Sequence, residues 1–217
     1  MNSWDREALT ELRAAVARRD VAAIRAAVDG RDLDAVLQLA GDGLLADPAD
    51  PLAPECAERL RRRGLDGDTE LADALESRPS DVRPLAVDLE ELASILEGDP
   101  VHGGGRIDLT TGDVWHQSPY DDPVDDDEDR WLWVEAGSRE GWWDMSEFAE
   151  TIDDLALADR LQRAIHGRRA FRRFRDELAE HPDELTRFHL FADERQRGRA
   201  RRWLAEHGLR SVGRRYD

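Results

Sequence analysis

Lysine is absent from this chain of 217 residues, and cysteine occurs once, as Cys56. A lone cysteine excludes a disulfide within the molecule and any cysteine cluster for zinc. In a helical context it reads as a small buried hydrophobe rather than a nucleophile or ligand. Long apolar runs are also missing: none approaches the roughly 20 residues needed to cross a bilayer. The opening Met1-Asn2-Ser3-Trp4-Asp5 lacks a basic region followed by an apolar one, so no membrane association and a cytoplasmic location are expected. No Gly-x-Ser-x-Gly, His-Glu-x-x-His or phosphate-loop pattern occurs, and the six histidines are scattered without ligand spacing. Neither a metal nor a cofactor is expected.

What the chain has in abundance is carboxylate. It carries 49 acidic against 31 basic residues, a net charge of −18, which favours solubility and disfavours contact with nucleic acid or anionic lipid. The charge is unevenly placed. Residues 1–150 hold 15 arginines against 37 carboxylates, a net of −22, and residues 151–217 hold 16 against 12, a net of +4. Such polarity points to contact between the two parts or to an acidic partner for the basic one.

Residues 1–80 read as an acidic helical domain. Leu12-Arg13-Ala14-Ala15-Val16 recurs twelve residues later as Ile24-Arg25-Ala26-Ala27-Val28. Asp20 and Asp32 are placed to cap new helices and Gly30 to end one, which predicts a small bundle. A helix from Pro51 to Arg63 stopping at Gly64, and another over 68–76, complete it. Ser77-Arg78-Pro79-Ser80-Asp81 reads as a linker to a second domain over 85–217.

That second domain starts with a helix over 88–96, ended by Gly98, and a glycine run, Gly103 to Gly105, that reads as a hinge. Five of the seven tryptophans then fall between Arg106 and Met145. Ile107 and Leu109 alternate with Asp108, and Thr110-Thr111-Gly112-Asp113 turns the chain into Val114-Trp115-His116. Trp131 to Glu135 suggests a third strand. The expected fold class is α+β and predominantly helical. A small three-stranded antiparallel sheet is covered by C-terminal helices and preceded by an N-terminal helical bundle, and the tryptophans supply much of the core.

Between the last two strand signals lies Asp121-Asp122-Pro123-Val124-Asp125-Asp126-Asp127-Glu128-Asp129, read as the tip of a tryptophan-rich hairpin. Asp125, Asp127 and Asp129 mimic the first places of a calcium loop, but the required glycine is Arg130 and the twelfth place is Ala136, so the comparison fails. Trp142-Trp143 precedes a helix from Asp144 to Ile152, with one ring expected in the core and the other half covered.

The C-terminal helices hold the arginines. Arg168, Arg169, Arg172, Arg173 and Arg175 fan around an apolar stripe of Phe171, Phe174 and Leu178, with Arg172–Asp176 and Arg173–Glu177 spaced for salt bridges. A long helix follows over 184–207, whose apolar stripe is interrupted by Arg195 and Arg199. Arginine at such a position must be paired, must snorkel, or must meet a ligand.

Taken together, Arg106 to Val114, Ser138-Arg139-Glu140-Gly141, Asp144 to Ala149, Gly167 to Asp176, Phe191-Ala192-Asp193-Glu194-Arg195 and Trp203-Leu204 give residues 88–209 a resemblance. They resemble uncharacterised bacterial protein family 0158 of the UPF series, with the acidic stretch and residues 1–80 outside it. The resemblance implies no activity and carries over no catalytic residue. Three functions stay open. The first is a non-catalytic interaction or regulatory protein with another protein as partner. The second is a nucleic-acid or nucleotide-phosphate binder using the seven arginines Arg168, Arg169, Arg172, Arg173, Arg175, Arg195 and Arg199, disfavoured by net charge. The third is an enzyme of unknown reaction with a cleft formed by Asp108, Asp113, Trp115, Glu135, Arg139, Glu140, Trp142 and Trp143.

Overall fold

The computed structural model describes residues 4–98, 103–117, 128–137 and 139–212. Aspartates set the helix starts. Asp5 accepts a hydrogen bond from Ala8 N at 2.8 Å and opens α1 (Arg6–Arg18), and Asp20 accepts from Ala23 N at 3.0 Å and opens α2 (Val21–Val28). A short side chain that accepts from orphan N–H groups is what a helix start requires. Asp32 does the same for a 3₁₀ turn, Leu33–Val36, which runs into α3 (Leu37–Leu44). α4 (Leu52–Arg63) stops at Gly64, whose φ of +67° suits glycine, and α5 (Asp68–Leu75) closes the bundle. Leu12, Ile24, Leu37, Leu44, Leu60 and Leu71 are fully buried in one cluster. Cys56 lies in that cluster, its thiol pushed up to about 12 by burial, so it is no nucleophile.

After β1 (Arg83–Leu85), α6 (Leu89–Leu96) packs on a sheet of three strands. β2 (Gly104–Asp108) is central and antiparallel to both β3 (Val114–His116) and β4 (Trp131–Glu135). The three-stranded antiparallel sheet is therefore as expected, but its strand order corrects one detail. The strands on either side of the acidic stretch are edge strands that flank β2 and do not pair with each other, so this stretch is no hairpin tip. Its residues 121–127, including Asp125 and Asp127 of the calcium comparison, lie outside the described residues. The glycine run is corrected too. Gly104 and Gly105 belong to β2, and a Cβ on Gly105 would stand 2.4 Å from Ile95 Cδ1 and 2.4 Å from the Trp115 carbonyl oxygen. Only glycine lets this strand lie so close to α6.

The remaining helices are α7 (Arg139–Glu150), α8 (Leu155–Ala164), α9 (Ala170–Ala179) and α10 (Pro182–Glu206). α7 starts five residues before the expected Asp144, so both Trp142 and Trp143 are helical. β5 (Leu209–Ser211) pairs in parallel with β1, a contact between three-residue strands too short to show as alternation in the sequence. α10 organises the whole. Leu190 belongs to the N-terminal core, Ala200 and Leu204 to the core beneath the three-stranded sheet, and Phe188 and Phe191 pack on the core of α7 to α9. A helix covered on three sides has no single apolar stripe, which is why its pattern breaks at arginine. Among the described residues no helix is long and apolar enough to cross a membrane.

Candidate functional site

On α10 the arginines are structural. Arg199 donates to Asp144 Oδ2 at 2.7 Å and also pairs with Glu97, and Arg195 pairs with Glu147 and, at 3.5 Å, with Asp144. Asp144 comes from α7 and Glu97 from the C-terminal end of α6, so these ions join three helices. Burial pushes both carboxyls above their ordinary values while Arg199 pulls them down, and the same carboxylates raise Arg199. Of the three fates open to an arginine on an apolar face, Arg195 and Arg199 take pairing, with carboxylates of α7 and the end of α6 as partners.

One turn earlier, α10 reaches into the N-terminal bundle. The buried Glu194 accepts from Gln38 N at 2.7 Å and Leu39 N at 3.0 Å, supplying the start of α3 with the cap that Val36 cannot. Arg63 bridges Glu194 at 2.9 Å and Asp68 at 2.7 Å. Gln38 donates to Asp68 at 2.9 Å and accepts from Arg201, which pairs with Asp42 at 2.9 Å. Gly198 makes room for this junction: a Cβ there would stand 2.1 Å from the Asp66 carbonyl oxygen, and one on Gly67 2.2 Å from the Gly198 oxygen. None of this constellation was among the sequence candidates. Its one sequence signal is a glycine inside a long helix, flanked by charges that no stripe explains.

On α9 the outcome is the reverse. Arg168, Arg169, Arg172, Arg173 and Arg175 are all exposed. Arg172 reaches Asp176 at 3.7 Å with both side chains about 70% in solvent, a pair worth little. The expected Arg173–Glu177 pair does not form: Arg173 donates to the His166 carbonyl, and Glu177 accepts from Arg160 at 3.1 Å. Arg168, Arg169 and Arg175 meet no carboxylate among the described residues. Phe171, expected in the stripe, is 48% exposed, so Phe174 and Leu178 are the residues of this helix that are fully buried.

The eight cleft candidates do not converge. Glu135 and Glu140 share a cleft of about 290 Å³ with Gln196, Arg199 and Trp203. Asp108 and Asp113 sit in the β2–β3 turn. Asp108 accepts from Thr110 and Thr111 and bonds Arg130 at 2.5 Å, and this arginine holds its carboxyl well below the usual range. Arg139 is exposed at the start of α7. Trp142 donates from Nε1 to the Ile165 carbonyl at 3.0 Å, and Trp143, edge-on to it, is 57% exposed.

The tryptophans also correct the expectation that they build the core. Trp4, outside the tryptophan-rich segment, is buried, whereas Trp115 and Trp133 are 52% and 55% exposed. The register decides this. Ile107 faces Val114 and Leu132 on the α6 side, so the neighbouring row, Trp115, Arg106 and Trp133, points away from it. Arg106 and Trp133 were not sequence candidates, because alternation shows that two faces exist without showing which is covered.

Together these features define a predominantly helical α+β protein with a charge-locked helical spine, an arginine-bearing helix and an open aromatic sheet face. Residues 120–216 match the family model described as Uncharacterised protein family (UPF0158). The resemblance drawn over 88–209 thus holds for its C-terminal portion, and the acidic stretch, expected outside it, lies within the match. No curated protein and no solved structure matches the chain.

Proposed function

We propose that this is a non-catalytic interaction protein of the bacterial cytoplasm, with the exposed face of α9 as its docking surface for an acidic segment of another protein. One observation carries this reading. In a chain of net charge −18, Arg168, Arg169 and Arg175 stand in solvent and meet no carboxylate among the described residues, although carboxylates outnumber arginines and neutralise those of α10. Phe171 lies among them, and an exposed aromatic ringed by arginine is the composition that dominates binding energy in protein interfaces. Glu135 and Glu140 share one cleft while Asp108 and Asp113 lie in the β2–β3 turn, so the eight cleft candidates give no single site to favour the enzyme reading. The same arginines suit phosphate groups, which keeps a nucleic-acid partner as the second reading.

Capture from lysate with the full chain, with and without nuclease, separates the two. The expected result is a protein partner retained after nuclease treatment and lost when Arg168, Arg169, Arg172 and Arg175 are all changed to glutamine. Capture that disappears with nuclease selects the nucleic-acid reading, and capture unchanged in the glutamine variant removes α9 from both.

A further inference from the structure

Side chains directly opposite one another across a sheet share a face. Arg106 is in register with Trp115 on one side and Trp133 on the other, so the three form a row across all three strands. The rings at its two ends are more than half exposed. From the middle strand, the Arg106 guanidinium leans toward β4, 4.8 Å from the Trp131 ring centroid and 5.9 Å from that of Trp133, and it makes no ion pair among the described residues. Its Nε is buried without a hydrogen-bond partner. An arginine held by rings and not by a carboxylate keeps its outer donors unclaimed. Glu135, two residues beyond Trp133 on β4, is exposed at the end of the row, at the rim of the cleft it shares with Glu140, and pairs with no cation among the described residues.

Spacing and charge select the occupant. The row covers two inter-strand steps, about 10 Å. A polyproline II helix rises about 3.1 Å per residue with three residues per turn, so its prolines i and i+3 are about 9 Å apart on one side. Two such prolines match Trp115 and Trp133. The backbone of that helix makes no internal hydrogen bonds, so its carbonyl oxygens are open to the donors of Arg106, and its conformation is preformed and costs little order on binding. Charge complementarity adds the flank: Glu135 and the net charge of −18 attract a basic residue beside the prolines. A single-stranded nucleic acid would stack on the same rings, but its phosphates would meet Glu135 and the negative field. We propose that this sheet face binds a proline-rich segment of a partner, with prolines three residues apart and arginine or lysine next to them. The site is separate from the α9 surface, and either can fail without the other.

The test uses the full chain and three probes: decaproline flanked by arginines, decaproline flanked by glutamates, and oligodeoxythymidine. The seven indole N–H resonances are followed by NMR during titration. The expected result is saturable binding of the arginine-flanked peptide, with shifts concentrated on Trp115 and Trp133 and weaker binding of the glutamate-flanked one. Trp115→Ala and Trp133→Ala each weaken it by at least about tenfold, with the far-ultraviolet dichroism unchanged. Should an alanine variant unfold, the indole shifts of the unaltered chain decide alone. No saturable binding of either peptide, shifts confined to other tryptophans, or tighter binding of oligodeoxythymidine on this face would overturn the proposal.

Discussion

Six arginines of α10, Arg187, Arg195, Arg197, Arg199, Arg201 and Arg202, each meet a carboxylate, whereas Arg168, Arg169 and Arg175 beside and on α9 meet none among the described residues. Both helices are rich in the same residue, and acidic side chains are plentiful near each in sequence. What differs is surroundings. α10 is covered on three sides, where an unpaired charge is costly, so every guanidinium that points inward has a partner. α9 is covered on one side by Phe174 and Leu178, so its arginines are free to stay in water. Arginine on α10 fixes how the parts of the fold sit together, and on α9 it is left for something else.

The strongest way to break the comparison is at Arg63, the cation that faces both buried carboxylates, Glu194 and Asp68. Arg63→Met leaves these two negative groups without it in the interior, and breaking a buried pair in this way costs about 3–5 kcal/mol. Urea unfolding should show the loss as a lowered midpoint. A cost like that of a surface substitution would mean that the junction is open to water and that α10 is not locked by charge.

A second strike avoids charge altogether. Gly198→Ala raises helix propensity by up to about 1 kcal/mol, yet its new Cβ would stand 2.1 Å from the Asp66 oxygen. The atom in the way is backbone and cannot swing aside. The expected net result is a destabilisation of roughly 2 kcal/mol, measured again by urea. A gain in stability would show that α10 and the 65–67 turn are not in contact.

Glu194 and Gly198 also mark the limit of what was legible. The helix starts at Asp20 and Asp32, the stop at Gly64 and the α6 stripe are set by neighbours within one turn, and the sequence displays them directly. Glu194 caps a helix start 156 residues away, and Gly198 is needed because of a turn more than a hundred residues earlier. No local periodicity carries such information. The sheet shows the same division. Alternation around Ile107 and within Trp131 to Glu135 revealed strands, but the row of Trp115, Arg106 and Trp133 exists only once the register is known. Tryptophan suggested core by its size, yet α6 covers only the Ile107 side. On α9 the spacing of Arg173 and Glu177 suggested a salt bridge, and each found a better partner in the tertiary structure.

The smallest expected effect is also the sharpest for α9. Arg169 holds the position before the helix with φ +61° and ψ +34°, a left-handed conformation, and no side chain caps the first turn. For a residue with a Cβ that conformation costs roughly 1 kcal/mol or more relative to glycine, and a cation beside a helix N-terminus is opposed by the helix dipole. Arg169→Gly relieves both, offset in part by the greater freedom of glycine in the unfolded chain. It should stabilise the protein by about 0.5–1 kcal/mol while weakening capture of the α9 partner. Stability and binding moving in opposite directions would show that arginine is kept here against the preference of the backbone. A destabilised Arg169→Gly variant would instead make Arg169 a structural residue like those of α10, and the contrast between the two helices would lose its clearest member.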